Sequence, residues 1–129
     1  MSSERIVPSE IREGPAAIRA TVDVAEPVVR AIAADLRGRG ARRIWVIGNG
    51  TSYHTSLYAC GIARRLANTD DPVTIAVTAG DFRTFLPLLG PHDVIVGVSA
   101  SGEFRDVVGV FEHHLEATPP YTLLQWQLR

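Results

Sequence analysis

Apolar residues along this chain fall into short β-type runs that are separated by stretches with helical spacing. The predicted strands are residues 44–47, 73–77 and 93–98. Helical spacing covers 52–67 and 104–115, and a short helix or turn is expected within 81–89. The third strand is apolar almost throughout, which is typical of a strand buried on both faces. This alternation predicts an α/β fold with a parallel sheet and helices on both of its faces.

Residues 10–22 are predicted to form two short helical pieces, followed by a further helix. Apolar residues within 10–22 follow helical spacing, but Gly14 and Pro15 indicate a break between the two pieces, and the further helix is expected over 26–39. We therefore divide the chain into three parts. They are lead-in helices at 1–40, the first half of the α/β domain at 41–115 and an atypical tail at 116–129.

The tail departs from the alternating pattern. It contains Pro119 and Pro120, followed by an apolar run that could form a fourth strand. Three clear strands are fewer than the about five that are usual in a doubly wound sheet. We therefore expect the domain to be incomplete at its C-terminus, which would leave a normally covered strand edge exposed.

Composition narrows the class of protein. The 129 residues fit one domain, 46% of them are hydrophobic, and the formal net charge is -1. This balanced charge gives no reason to expect a nucleic acid or an acidic membrane surface as a partner. No apolar run approaches the ~20 residues of a membrane helix, and the single cysteine, Cys60, fits a reducing compartment. We expect a cytoplasmic protein.

Two loops carry the residue types of an anion site, and each follows a predicted strand and leads into a predicted helix. The candidate binding residues are Gly50, Thr51, Ser52, Ser99, Ala100, Ser101 and Gly102. Backbone N–H groups at a helix start attract a phosphate, and glycines at 48 and 50 would let it approach the backbone. The hydroxyls add neutral donors without a lysine or arginine clamp. The same residue types are also common in helix caps and tight turns, so loops without a ligand remain an alternative.

Four motifs occur together in a fixed order. They are residues 10–18, residues 44–66 with Gly50-Thr51-Ser52-Tyr53, the run Asp81-Phe82-Arg83, and the run Ser99-Ala100-Ser101-Gly102-Glu103. In this order they resemble the SIS (sugar isomerase) domain family, most closely the isomerase domains of glutamine–fructose-6-phosphate aminotransferases. The resemblance covers residues 10–111. It implies an SIS-type fold, which is a three-layer sandwich of the flavodoxin-like, doubly wound class, and it implies a dimer.

In the family, the two loops hold the phosphate and hydroxyls of a sugar phosphate. By position, the resemblance implies Thr51, Ser52, Ser99 and Ser101 as ligand contacts. Two positions differ, because Ala100 stands where the aminotransferases have Gln and Phe104 where they have a phosphate-binding Thr. A lost hydrogen bond to a charged group costs about 1.5–3 kcal/mol, so we expect weaker binding or a different ligand.

No catalytic residue can be assigned from the sequence. Aldose–ketose isomerisation needs a general base, and in the resembling enzymes the base Glu, a ring-opening His and a Lys come from sequence beyond the third strand and its helix. The local candidates are Glu103, His54, His113 and His114, which are better explained as helix-start or solvated groups. Cys60, Trp45 and Phe82 are expected in the core. We expect neither a cofactor nor a metal.

Three hypotheses remain open. The first is a domain that binds a hexose or hexosamine phosphate without a complete catalytic set, as a homodimer or with a partner SIS chain. The second is a truncated sugar phosphate isomerase of the aminotransferase or deaminase type. The third is a ligand-free α/β interaction module. A folded fourth strand in the tail would favour the first hypothesis over the second.

Overall fold

The computed structural model describes residues 6–100, 105–116 and 122–127. It divides into two compact units, residues 1–38 and residues 39–129. The first unit contains one α-helix, α1 (Ile6–Gly38), which is 33 residues long. Among the described residues, no helix combines the length and apolar character needed to cross a membrane.

Helix α1 corrects the prediction of two helical pieces. The helix runs without interruption through Gly14 and Pro15 and contains a second proline, Pro27. A proline inside a helix removes its own N–H and crowds the preceding turn, which is why a break was expected. Just after the predicted break, the Arg19 side chain also bonds to the helix backbone, since Arg19 Nε donates to the Pro15 carbonyl at 3.3 Å. The predicted break is therefore wrong, and the helical spacing of apolar residues was the better guide on both sides of it.

The second unit alternates strands and helices. In chain order its elements are β1 (Arg43–Gly48), α2 (Thr51–Leu66), β2 (Val73–Thr78), α3 (Ala79–Phe82), a 3₁₀ turn (Leu86–Leu88), β3 (Asp93–Ser99), α4 (Arg105–Glu116) and β4 (Thr122–Gln127). The four strands form one sheet in the order β2-β1-β3-β4, and every neighbouring pair is parallel. The predicted parallel α/β fold is confirmed, and the apolar run in the tail forms the fourth strand.

The core lies on one face of the sheet, beneath α3 and α4. Strand residues that point to this face alternate along each strand. The buried cluster consists of Trp45, Ile47, Ala79, Phe82, Ile95, Val107 and Val110. Thr74 points to the other face, where its Oγ1 donates to the Cys60 carbonyl of α2 at 3.4 Å. Helices thus cover both faces, which gives the predicted three layers.

Helix α4 packs very closely on β3 because Gly97 has no side chain. A Cβ at this position would lie 2.5 Å from the Phe111 ring and 3.2 Å from Val107 Cγ1. The absence of this one atom lets the apolar face of α4 rest directly on the strand. It therefore sets the distance between β3 and α4.

The strand order determines where a ligand can bind. From β1 the chain crosses first to β2 on one side and then to β3 on the other. The helices that follow β1 and β3 consequently leave from neighbouring strands to opposite faces. Open α/β sheets bind ligands at such a point, in a crevice at the carboxyl ends of the strands. The first turn of α2, after β1, and Ser99, at the end of β3, lie at this end of the sheet.

Candidate functional site

Helix α2 begins directly after β1 with a turn that only glycine adopts easily. Gly50 precedes the helix with φ 55° and ψ −126°, a positive φ that costs a residue with a Cβ about 1–2 kcal/mol. No side chain caps the helix. The Ser52 N–H bonds to the Asn49 carbonyl at 3.1 Å, and the His54 N–H bonds to the Gly50 carbonyl at 3.2 Å. Among the described residues, the N–H groups of Thr51 and Tyr53 have no partner, as expected at a helix start that can receive an anion.

The two glycines of this turn have different roles. A Cβ on Gly48 would lie 3.0 Å from the Ser52 carbonyl carbon and 3.1 Å from the Tyr53 nitrogen, whereas a Cβ on Gly50 would meet nothing within 4 Å. Gly48 therefore allows the first turn of α2 to pack against the end of β1. The expectation that Gly48 also lets an anion approach the backbone stays a prediction, and the space beside Gly50 is open.

The hydroxyls at the start of α2 are available to a ligand. Thr51 is exposed and Ser52 is half-buried. Their carbonyls accept hydrogen bonds from Thr55 and Ser56, but among the described residues neither hydroxyl has a partner of its own. Together with the two N–H groups, they provide four neutral donors within one helical turn.

The second predicted loop begins at the end of β3. Ser99 is the last residue of the strand and is buried at 8% exposure, and Ala100 is exposed. Because Ile47 of β1 pairs with Gly97 of β3, Ser99 lies at the same end of the sheet as the first turn of α2. Ser101 and Gly102, the other two residues predicted in this loop, lie outside the described residues.

The sequence analysis assigned no role to Asn49, although it lies between the two glycines. Its side-chain oxygen accepts the Ala79 N–H at 3.2 Å, and its side-chain nitrogen donates to Asp106 Oδ2 at 3.1 Å. Ala79 begins α3 after β2, and Asp106 lies in the first turn of α4. One amide therefore connects the end of β1 to the starts of two other helices. An asparagine between two glycines at a strand end is the sequence feature that could have indicated it.

The start of α3 is less suited to an anion than the start of α2. The Thr78 hydroxyl accepts the Asp81 N–H at 3.2 Å and donates to Asp81 Oδ2 at 2.7 Å. With Asn49 on Ala79, two of the N–H groups at this position, those of Ala79 and Asp81, are already paired, and Asp81 adds a negative charge. The crevice between β1 and β3 is therefore where neutral donors remain available.

The remaining candidates lie in the core or on the surface. Trp45, Phe82 and Cys60 are buried as predicted, at 8%, 0% and 3% exposure. Burial raises the pKa of the Cys60 thiol, although Thr74 and Arg64 partly offset this rise. His54 is exposed. Glu103 and the side chains of His113 and His114 lie outside the described residues, and the described part of the chain holds no cluster of three potential metal ligands.

Comparison with known proteins identifies the family. The family model of the SIS domain matches residues 39–118. The chain belongs to the SIS domain family. This SIS domain is 34% identical over 102 residues to the isomerizing glutamine–fructose-6-phosphate aminotransferase of Gloeobacter violaceus, over 75% of this chain and 16% of that enzyme. The corresponding enzyme of Pyrobaculum aerophilum is 31% identical over 100 residues, again over 16% of its length. The resemblance drawn from the motifs is confirmed, and the chain spans 16% of these two relatives.

A solved structure supports the same fold. The phosphoheptose isomerase of Neisseria gonorrhoeae superimposes on 99% of this chain and 76% of its own chain, with a TM-score of 0.68 and 17% identity. The likeness shows that the architecture of the SIS domain is shared with that enzyme.

Proposed function

We propose that this SIS domain binds a phosphorylated sugar in the crevice between β1 and β3. The observation that carries the proposal is the uncapped start of α2, where two backbone N–H groups and the hydroxyls of Thr51 and Ser52 have no partner among the described residues. The phosphate lies at this helix start, where the helix dipole also favours negative charge. The sugar extends towards Ser99 at the end of β3.

The relatives support a sugar phosphate as the ligand class. The matched enzymes are named for fructose 6-phosphate and for phosphoheptose. The proposed site recognises phosphate with neutral hydrogen-bond donors. Such donors can also bond to the hydroxyl oxygens of a sugar. Ala100 has no polar side chain to add, so affinity should be modest.

We do not extend the proposal to turnover by these residues. Isomerisation requires a general base in hydrogen-bond reach of the reacting carbon's proton. Of the described carboxylates at this end of the sheet, Asp81 is bonded to Thr78 and Asp106 to Asn49. Both carboxylates are held by structural partners, so we propose neither as the general base and limit the proposal to binding.

Isothermal titration with fructose 6-phosphate tests the proposal. The variant Thr51→Val with Ser52→Ala removes both hydroxyls and should weaken binding about tenfold or more, since a hydrogen bond to a charged group is worth about 1.5–3 kcal/mol. Thr55→Val is the matched control, because it removes a hydroxyl from an exposed threonine of the same helix whose Oγ1 already bonds to the Thr51 carbonyl at 3.0 Å. The control should bind like the wild type. No binding of any hexose phosphate at millimolar concentration would refute the proposal and leave the interaction module as the alternative.

We also propose that the chain forms a homodimer. Helix α2 exposes the apolar side chains of Tyr58, Ile62 and Leu66, which follow one another at intervals of four residues along one face. Contiguous exposed apolar surface is typical of protein interfaces.

A further inference from the structure

Three segments of the crevice meet at a single side chain. Asn49 lies between the end of β1 and the start of α2, and its amide bonds to Ala79 at the start of α3 and to Asp106 in the first turn of α4. The partners are 30 and 57 residues away along the chain. In the described part of the chain, no other side-chain hydrogen bond joins the end of β1 to α4.

Both the oxygen and the nitrogen of the Asn49 side-chain amide form hydrogen bonds. Asn49 and Asp106 are half-buried and Ala79 is fully buried, so water competes little for these groups. A Cβ on Gly80 would lie 3.8 Å from Asp106 Oδ2, which places the carboxylate close to the backbone that follows β2. Without the Asn49 amide, the buried Ala79 N–H would lose its acceptor and Asp106 Oδ2 would lose a donor. Removing a partner from a buried polar group costs free energy because the local dielectric constant is low.

We propose that Asn49 is a positioning residue of the sugar phosphate site. It fixes the first turn of α2 relative to the start of α4 without itself touching the ligand. This inference rests on the proposed function, because it assigns a role at the same site. It predicts that ligand affinity depends on the Asn49–Asp106 hydrogen bond through the geometry of the crevice.

A double-mutant cycle tests this role. Fructose 6-phosphate affinity is measured by titration calorimetry for the wild type, Asn49→Ala, Asp106→Ala and the double variant, with circular dichroism to confirm folding. Each single variant should weaken binding by up to about tenfold, because the affinity lost through altered geometry is limited by the free energy of the hydrogen bond that is removed. The double variant should bind no more weakly than Asn49→Ala, because Asn49→Ala already removes the connection that Asp106→Ala removes.

Two further variants separate positioning from other causes. Asp106→Asn keeps an acceptor for Asn49 and should retain near wild-type affinity. Asn68→Ala is the matched control, since Asn68 Nδ2 also bonds to an aspartate, Asp71, at 3.2 Å, but in the turn before β2. It should leave the affinity unchanged even if it lowers the melting temperature.

The outcomes distinguish this inference from the proposed function. If the wild type binds and Asn49→Ala binds equally well, the positioning role is wrong and the proposed function stands. An additive double variant would mean that Asn49 and Asp106 do not act through their shared hydrogen bond, which also overturns this positioning role. Tighter binding by Asp106→Asn would show that the carboxylate charge matters and not the connection.

If the wild type itself binds no sugar phosphate, both proposals fail. Should Asn49→Ala not fold, Asp106→Ala, which leaves the bond to Ala79 intact, decides the question.

Discussion

Asp93 shows how a buried charge is held at the end of the sheet opposite the candidate site. Its carboxylate is 1% exposed and accepts hydrogen bonds from Arg43 Nε and Nη2, both at 2.6 Å, from Trp45 Nε1 at 2.9 Å and from the Gly90 N–H at 2.7 Å. Burial alone would raise the pKa of Asp93, but the bonds from Arg43, Trp45 and Gly90 outweigh it and the pKa lies below its ordinary value. This group of bonds joins the first residues of β1 and β3.

We predict that Asp93→Asn destabilises the protein by about 2–4 kcal/mol near neutral pH, because it weakens several charge-assisted bonds and leaves Arg43 without its anion. The effect should depend on pH. A folded-state pKa below the ordinary value of 3.8 means that the contribution is fully present above that value and is lost as the pH falls through the lowered pKa. Urea unfolding of both proteins from pH 7 down to pH 2 should show a constant gap that closes only below about pH 3.8. A gap that stays constant to the lowest pH would contradict it.

The sequence allowed single residues to be placed better than pairs of residues. Trp45 and Phe82 were expected in the core because large aromatic side chains are highly buried on average. The bonds from Arg43 to Asp93 and from Asn49 to Asp106 join positions 50 and 57 residues apart. Which polar groups lie together depends on the strand order, and a local sequence pattern does not contain the strand order. These pairs therefore could not be predicted.

At the scale of elements, the contact between β1 and α2 depends on Gly48. We predict that Gly48→Ala destabilises the protein by about 1–3 kcal/mol, because a Cβ would press on the backbone of the first helical turn, which cannot move independently. The same displacement should weaken sugar phosphate binding. Urea unfolding and titration calorimetry measure the two effects.

Gly61→Ala is the matched control for this prediction. Gly61 lies within α2, and a Cβ there would meet nothing within 4 Å. The substitution should stabilise the protein by about 0.5–1 kcal/mol, the usual difference between alanine and glycine inside a helix. Equal effects of the two substitutions would show that the contact at Gly48 is unimportant.

Helix α1 and strand β4 show two ways in which local sequence signals fail to predict a helix or strand. Proline is a strong local indicator of a helix end, yet α1 passes through Pro15 and Pro27, because loss of single backbone bonds does not outweigh a long run of helical positions. Strand β4 lacks a following helix in the pattern and was left open, but its pairing with β3 provides hydrogen bonds that no sequence window contains. In both cases, interactions beyond the local window determined the outcome.

At the scale of the whole molecule, the sheet order was only partly accessible from the sequence. Alternating strands and helices predict parallel pairing, but the position of β3 beside β1 instead of β2 depends on how the layers cover each other. The resemblance of the motifs implied a flavodoxin-like, doubly wound class, but no strand order was predicted. The crevice between β1 and β3 follows from the order, so the place of the site was predictable and the Asn49 connection within it was not.

The exposed apolar side chains of α2 predict that the chain forms a dimer. Tyr58 and Leu66 are 74% and 76% exposed on α2, and burying such side chains in a symmetric interface contributes about 1.5–3 kcal/mol each. Sedimentation velocity should therefore show a dimer at micromolar concentration, and Tyr58→Glu with Leu66→Glu should shift it to monomer. The control Arg42→Glu changes the net charge by the same amount at an exposed position before β1 and should remain dimeric. A monomeric wild type, or a dimer that survives the paired substitution, would show that this face of α2 does not mediate association.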